Sequence, residues 1–215
     1  MIFTRHGIDI KKYPTIENYL LPFKERLMPK PNNYKGKEWK GRKPGAYQWY
    51  EIQDTIDYFE EFEKPKMLFP DISMRGNFVF DQNGNYCVNT AYIIPVNDLY
   101  LLGILNSRLV TFFYKNLSNI FRGGYLRFIY QYLVQIPIKV IDSENNKEKP
   151  MRANMIEIVE TMLELQKKYH DSRLESEKNM FKKQSDILDQ KIDRLVYELY
   201  GLTEAEIKIV EQKDA

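Results

Sequence analysis

At 215 residues, 43% hydrophobic and 14% aromatic, the chain can bury a core of ordinary domain size, alone or with a helical appendage, and its composition is that of an ordered chain. The single cysteine, Cys87, excludes an internal disulfide and a zinc site built from thiolates, and no apolar run reaches membrane-spanning length. The net charge of +2 hides an asymmetry: residues 1–50 hold eleven Lys/Arg against four Asp/Glu, whereas residues 141–215 hold thirteen against seventeen. A basic footprint is therefore expected at one end and an acidic tail at the other.

Residues 14–28 predict a short helix. Pro14 suits a first turn, Thr15 offers a cap, and Ile16, Tyr19, Leu20, Phe23 and Leu27 recur at helical spacing, with Pro22 expected to kink it or to stand at the start of a second turn. Residues 29–47 change character. Pro29, Pro31, Asn32, Asn33, Gly36, Gly41, Pro44 and Gly45 break regular structure, and Lys30, Lys35, Lys37, Lys40, Arg42 and Lys43 sit among them, which predicts a long basic loop. Residues 47–63 read as a helix in preference to a strand pair. Residues 66–72 read as a buried strand, and 77–80 with 86–95 as a hairpin around Asn83-Gly84. Cys87 falls in this second run and is expected to be an inert packed thiol.

Residues 97–118 predict one helix capped by Asn97 or Asp98, with Leu101, Leu102, Ile104, Leu105, Leu109, Phe112 and Phe113 on its apolar face. Gly103 inside it costs about 1 kcal/mol relative to Ala and points to a close backbone approach. Residues 126–138 are a mixed apolar stretch, and 142–149 read as a solvated linker. Stripes at Ile156–Tyr169 and Ile187–Leu199 then predict a helical hairpin or arm, closed by Gly201 and followed by the capping box Thr203–Glu206. The expected class is α+β: a small mixed sheet with flanking helices over 1–140, a linker at 141–150, and a helical arm over 151–212.

Seven strings occur in an order that resembles one known family. They are Tyr19–Leu27, Trp49–Gln53, Lys64–Ser73, Asn89–Ile94, Tyr100–Ser107, Arg122–Phe128 and Ile192–Thr203. The chain resembles the TaqI-like C-terminal specificity domain, the target recognition domain of adenine-N6 DNA methyltransferases and type IIG restriction-modification proteins, over roughly residues 8 to 210. The resemblance implies double-stranded DNA as partner. It also implies a methyltransferase domain, in cis or encoded by an adjacent gene, that binds S-adenosylmethionine. The family's Asn-Pro-Pro-Tyr type of motif and its Gly-rich cofactor loop are absent from this sequence, and Pro70-Asp71 is not followed by the Glu-x-Lys of a nuclease. The expectation is a non-catalytic C-terminal piece, excised or split, that needs no cofactor of its own. No signal peptide opens it, and the cytoplasm is the expected compartment.

The chemistry-bearing residues fit that expectation. His6 and His170 lie far apart without ligand spacing, and Glu60, Glu61 and Glu63 read as a solvated face in preference to a Mg²⁺ site. Lys40, Arg42 and Lys43 suit phosphates, the alternative being a solubilising loop; Tyr47 and Tyr50 are open between core and contact, while Trp49 reads as core. Arg75 and Asn77 follow a strand and suit base edges, against the alternative of a plain turn. In Arg122-Gly123-Gly124-Tyr125-Leu126-Arg127 the glycines permit close backbone approach and the arginines supply forks, against the alternative of a helix-ending turn. Two other classes remain: a subunit-assembly protein using its long helices, and an enzyme of unrecognised type.

Overall fold

The structure, a computed structural model, describes residues 2–142 and 148–212. It divides into two compact units, Met1–Glu60 and Glu61–Ala215.

The first unit has little regular structure. Pro14 opens helix α1 (Pro14–Leu20), a 3-10 turn follows at Leu21–Phe23, and α2 (Lys24–Leu27) completes the expected helical segment. Pro22, which has no N–H to donate, stands at the start of the 3-10 turn, the second of the two places the sequence allowed it. The basic loop closes on itself: Arg42 N donates to Met28 O at 2.9 Å and Lys30 N to Arg42 O at 3.1 Å. The helix expected over 47–63 does not form. Only a 3-10 turn at Phe59–Phe62 appears there. Side chains serve this backbone instead of a helical ladder. The buried Glu51 carboxylate accepts from Gly7 N at 2.6 Å and Gln48 N at 2.7 Å, and Arg42 donates to the carbonyls of Leu27, Gln48, Trp49 and Glu51.

The second unit is built on β1 (Lys66–Pro70), the central strand of an antiparallel sheet. Strand β2 (Ile72–Ser73) leaves this sheet, β3 (Val79–Asp81) pairs with one edge of β1, and β4 (Ala91–Ile94) pairs with the other. The α+β class holds, with every named strand pair antiparallel where a mixed sheet was expected. The expected hairpin is also rearranged. Asn83-Gly84 does turn, with Gly84 at φ +68°, but the strands on either side of it flank β1 and do not pair with each other. Met67 and Phe69 explain the preference: β1 is the most deeply buried strand and takes the centre. Cys87 lies outside the strands, partly buried, its Sγ 3.3 Å from Ala91 O, and burial pushes its thiol pKa up.

The long helix expected over 97–118 is two helices, α3 (Leu99–Asn106) and α4 (Arg108–Leu117). Ser107 makes the break: its Oγ donates to Ile104 O at 2.7 Å and accepts from Val110 N at 3.3 Å, so one hydroxyl ends α3 and caps α4. Strand β5 (Leu126–Arg127) pairs with β2, and a short α5 (Tyr130–Leu133) follows. Then α6 (Glu148–Asp171) and α7 (Glu175–Tyr200) form the expected hairpin, and α8 (Glu204–Gln212) ends the described chain. Gly201 takes φ +67°, and Thr203 and Glu206 exchange the hydrogen bonds of a capping box. Of the expected linker, residues 143–147 lie outside the described residues, and Glu148–Pro150 are helical.

The helical hairpin shares one core with the sheet. Met67, Phe69, Phe78 and Leu126 cluster with Ile104 of α3, Met155 and Val159 of α6, and Ile192, Leu195 and Val196 of α7. The hairpin and the sheet therefore lie in the same compact unit, Glu61–Ala215. Gly103 is the close approach the sequence indicated: a Cβ there would lie 2.6 Å from Met155 Sδ and 3.1 Å from Val159 Cγ2.

Candidate nucleic-acid interface

In the second unit the β2–β5 ribbon fixes the geometry. Ser73 faces Leu126 and Ile72 faces Arg127. The chain leaving β2 and the chain entering β5 are therefore at the same end of the ribbon, which carries Arg75 on the outgoing chain, with Asn77 two residues further on, and the Arg122–Tyr125 loop on the incoming one. Arg75, Asn77, Arg122 and Tyr125 are all exposed. The Arg122–Tyr125 loop is tight: Gly123 and Gly124 hold φ +87° and +81°, Phe121 N donates to Tyr125 O, and Gly124 N donates to Phe121 O. Two consecutive left-handed residues explain the glycine pair. Around these arginines the ribbon end exposes Met74, Phe121 and Tyr125.

The loop after β2 has a rigid base that the sequence did not reveal. Asn106 accepts from Phe78 N at 2.9 Å and donates to Phe78 O at 2.9 Å. Thr111 Oγ1 accepts from Gly76 N at 3.1 Å, and a Cβ at Gly76 would lie 2.4 Å from Leu105 O. The backbone at 76–78 is thus bolted to the α3–α4 junction while the side chains of Arg75 and Asn77 point outward. Asn106 and Ser107 fall where helical apolar spacing runs on from Leu105 to Leu109, so no pattern in the sequence marked this base.

Arg127 is tied to its own unit. Its Nε donates to Asp71 Oδ1 at 3.1 Å, and this hydrogen bond, with the Asp71 charge, raises the guanidinium pKa. Asp71 sits where the chain passes from β1 to β2, so the pair also pins the two sheets together. Next to the ribbon end lies a cavity of about 510 Å³ between Met74-Arg75, α4 and α7, with Arg75, Arg108, Lys115, Asp186, Asp189 and Asp193 on its wall. Asp193 accepts from Arg108 N at 2.8 Å and from Arg108 Nε at 3.2 Å, yet burial pushes its carboxyl up to about 6.

In the first unit the basic loop separates into two kinds of residue. Lys40 and Lys43 are exposed. Arg42 instead donates to four backbone carbonyls, and its guanidinium stacks 4.6 Å from the centre of the Tyr47 ring. Tyr47 is 5% exposed, and its hydroxyl donates to Lys43 O. With its fork committed to the chain, Arg42 has a structural task where phosphate contact was expected, and Tyr47 is core. Tyr50 is half-buried at the edge of Trp49, and burial pushes its phenol up.

The residues weighed for other chemistry are dispersed. His6 Nε2 donates to Ile52 O at 2.8 Å, and His170 lies beside the Tyr169 ring. Glu61 pairs with Lys64, and Glu63 accepts from the Tyr86 hydroxyl. Among the described residues no group of three or more His, Cys, Asp or Glu could hold a metal ion, and no helix is long and apolar enough to cross a membrane.

A match to the model of the TaqI-like C-terminal specificity domain covers residues 5–138. The chain belongs to this family. It is similar to the type II methyltransferase M.XhoI of Xanthomonas vasicola, 28% identical over 210 residues, which is 94% of this chain and 31% of that protein. It is also similar to the type II methyltransferase M.PaeR7I of Pseudomonas aeruginosa, 28% identical over 134 residues, 61% of this chain and 22% of that protein. The specificity-domain chain thus spans less than a third of either relative, and its role is one of specificity in restriction-modification.

Proposed function

We propose that this chain reads a short site on double-stranded DNA, mainly through the major groove, and sets the register of a methyltransferase that modifies adenine at N6. The observation that carries this reading is the ribbon end, where Arg75, Asn77, Arg122 and Tyr125 stand exposed and the backbone at 76–78 that follows Arg75 is anchored. Arg and Asn are the side chains that fit the guanine and adenine edges bidentately, and rigid support makes such contacts selective. Lys40 and Lys43 supply the sequence-independent attraction to phosphates. In this reading S-adenosylmethionine and the methyl-transfer chemistry belong to the methyltransferase part, joined in cis or encoded alongside.

The assembly reading is the weaker one. Of the apolar seam at 156–199 that it would use, Val159, Ile192, Leu195, Val196 and Leu199 are buried in the unit's own core, and Ile187 is exposed. The test is equilibrium binding to random and selected duplexes across a salt series. Affinity is expected to fall steeply with salt, with one sequence enriched from a randomised pool. Binding that ignores salt, or a pool that shows no enrichment, would overturn the proposal.

A further inference from the structure

The cavity beside the ribbon end has a wall that the reading loops do not explain. On one side is Arg75; on the other, α7 contributes Asp189 and, one turn earlier, Asp186. Asp189 is half-buried. Burial raises its pKa while the charge of Arg75 lowers it, so the two groups sense each other within one open space, and no direct ion pair joins them among the described residues. The wall also carries Arg108 and Lys115, but Asp193 is held by Arg108, so the face opposite Arg75 presents the Asp186 and Asp189 carboxylates, which disfavour a phosphate there. A base-pair edge is different. In the major groove a G·C pair presents the guanine O6 and N7 acceptors next to the cytosine N4 amine, a donor. That pattern demands a cationic fork and a carboxylate side by side.

We propose that Arg75 and Asp189 together read one G·C base pair, the guanidinium donating to guanine O6 and N7 and the carboxylate accepting from cytosine N4, so that α7 is part of the specificity surface. This rests on the DNA-reading function above. It gives the helical arm a direct task in recognition in addition to its share of the core. Asp186 and Asp189 also act by exclusion, since they weaken non-specific docking of phosphates at the cavity mouth.

The test combines protein and DNA changes, using the site enriched from a randomised duplex pool. Asp189→Ala is expected to lose about tenfold in affinity for that site and to relax preference at one G·C position, while affinity for random duplex rises. Asp189→Asn, which keeps an acceptor oxygen, is expected to recover part of the preference. For the unchanged protein, replacing the contacted cytosine by a pyrimidinone without the N4 amine costs the same as Asp189→Ala, and the two losses do not add. The DNA-side change keeps the test decisive even where a protein variant folds poorly. Uniform weakening by Asp189→Ala on all duplexes, or no G·C pair sensitive to loss of its amine, overturns this inference and leaves the DNA-reading function standing. Salt-insensitive binding by the unchanged protein overturns both.

Discussion

Lys66 and Asp81 show how single residues hold the second unit together. Lys66 is fully buried, and its Nζ lies 2.5 Å from Asp81 Oδ2 and 2.6 Å from Phe62 O. Burial alone would raise the Asp81 pKa; the Lys66 hydrogen bond and the donors of Asn83 and Asn85 outweigh it and hold the carboxyl low. Breaking a buried pair leaves a lone charge in the core. Lys66→Met is therefore expected to lower stability by about 3 kcal/mol, read as a lower denaturant midpoint with an unchanged slope. Asp193 behaves in the opposite sense. Its folded-state pKa is raised from 3.8 to about 6, so the folded form binds the proton more tightly than the unfolded chain does. Its contribution to stability is greatest below pH 4 and is lost as pH rises through 6. Asp193→Asn, which keeps the acceptor for Arg108 N, is expected to flatten the pH dependence of melting over that window; an unchanged profile would contradict it. Neither pair was legible in the sequence, because Lys66–Asp81 and Arg108–Asp193 are long-range pairings that no local pattern records. Arg42 misled for a related reason: a basic residue in a basic loop looks available until the carbonyls around it are seen.

At the scale of elements, local chemistry was legible and pairing was not. The Pro22 start of the 3-10 turn, the Asp98 cap, the Gly201 end of α7 and the Thr203–Glu206 box all follow from rules that span a few residues. The order β3-β1-β4 does not, since Asn83-Gly84 specifies a turn but not the strand across from it. The break at Ser107 was hidden because apolar spacing runs almost unbroken through it. Gly103 lies between these cases: its cost to the helix was visible, and its reason is the approach of α6. Gly103→Val would drive a branched side chain into Met155 and Val159. An expected loss of about 2 kcal/mol should appear as early melting of the whole second unit, because α3, α6 and the sheet share its core.

Across the whole molecule, each unit presents cations in a different form. The first carries Lys40 and Lys43 on a loop closed by Arg42; the second carries Arg75, Asn77 and Arg122 on an anchored ribbon end. The resulting roles are separable by experiment. Replacing Lys40 and Lys43 with Gln should weaken binding to all duplexes alike and reduce the salt slope by about one for each phosphate left unneutralised. Replacing Arg75 or Asn77 with Ala should change which sequence is enriched and leave the slope nearly intact. Identical behaviour of the two sets would contradict this division. The family was legible because its strings run in order along the chain, whereas the fixed base of the site was not: Thr111 lay outside every string, and Asn106, inside one, gave no sign of its part in it. That base has an evolutionary consequence. With the main chain at 76–78 clamped from behind, the outward tips at positions 75 and 77 are free to be exchanged like bits in a chuck, so new target sequences are within reach of one or two substitutions that leave the tool itself unaltered.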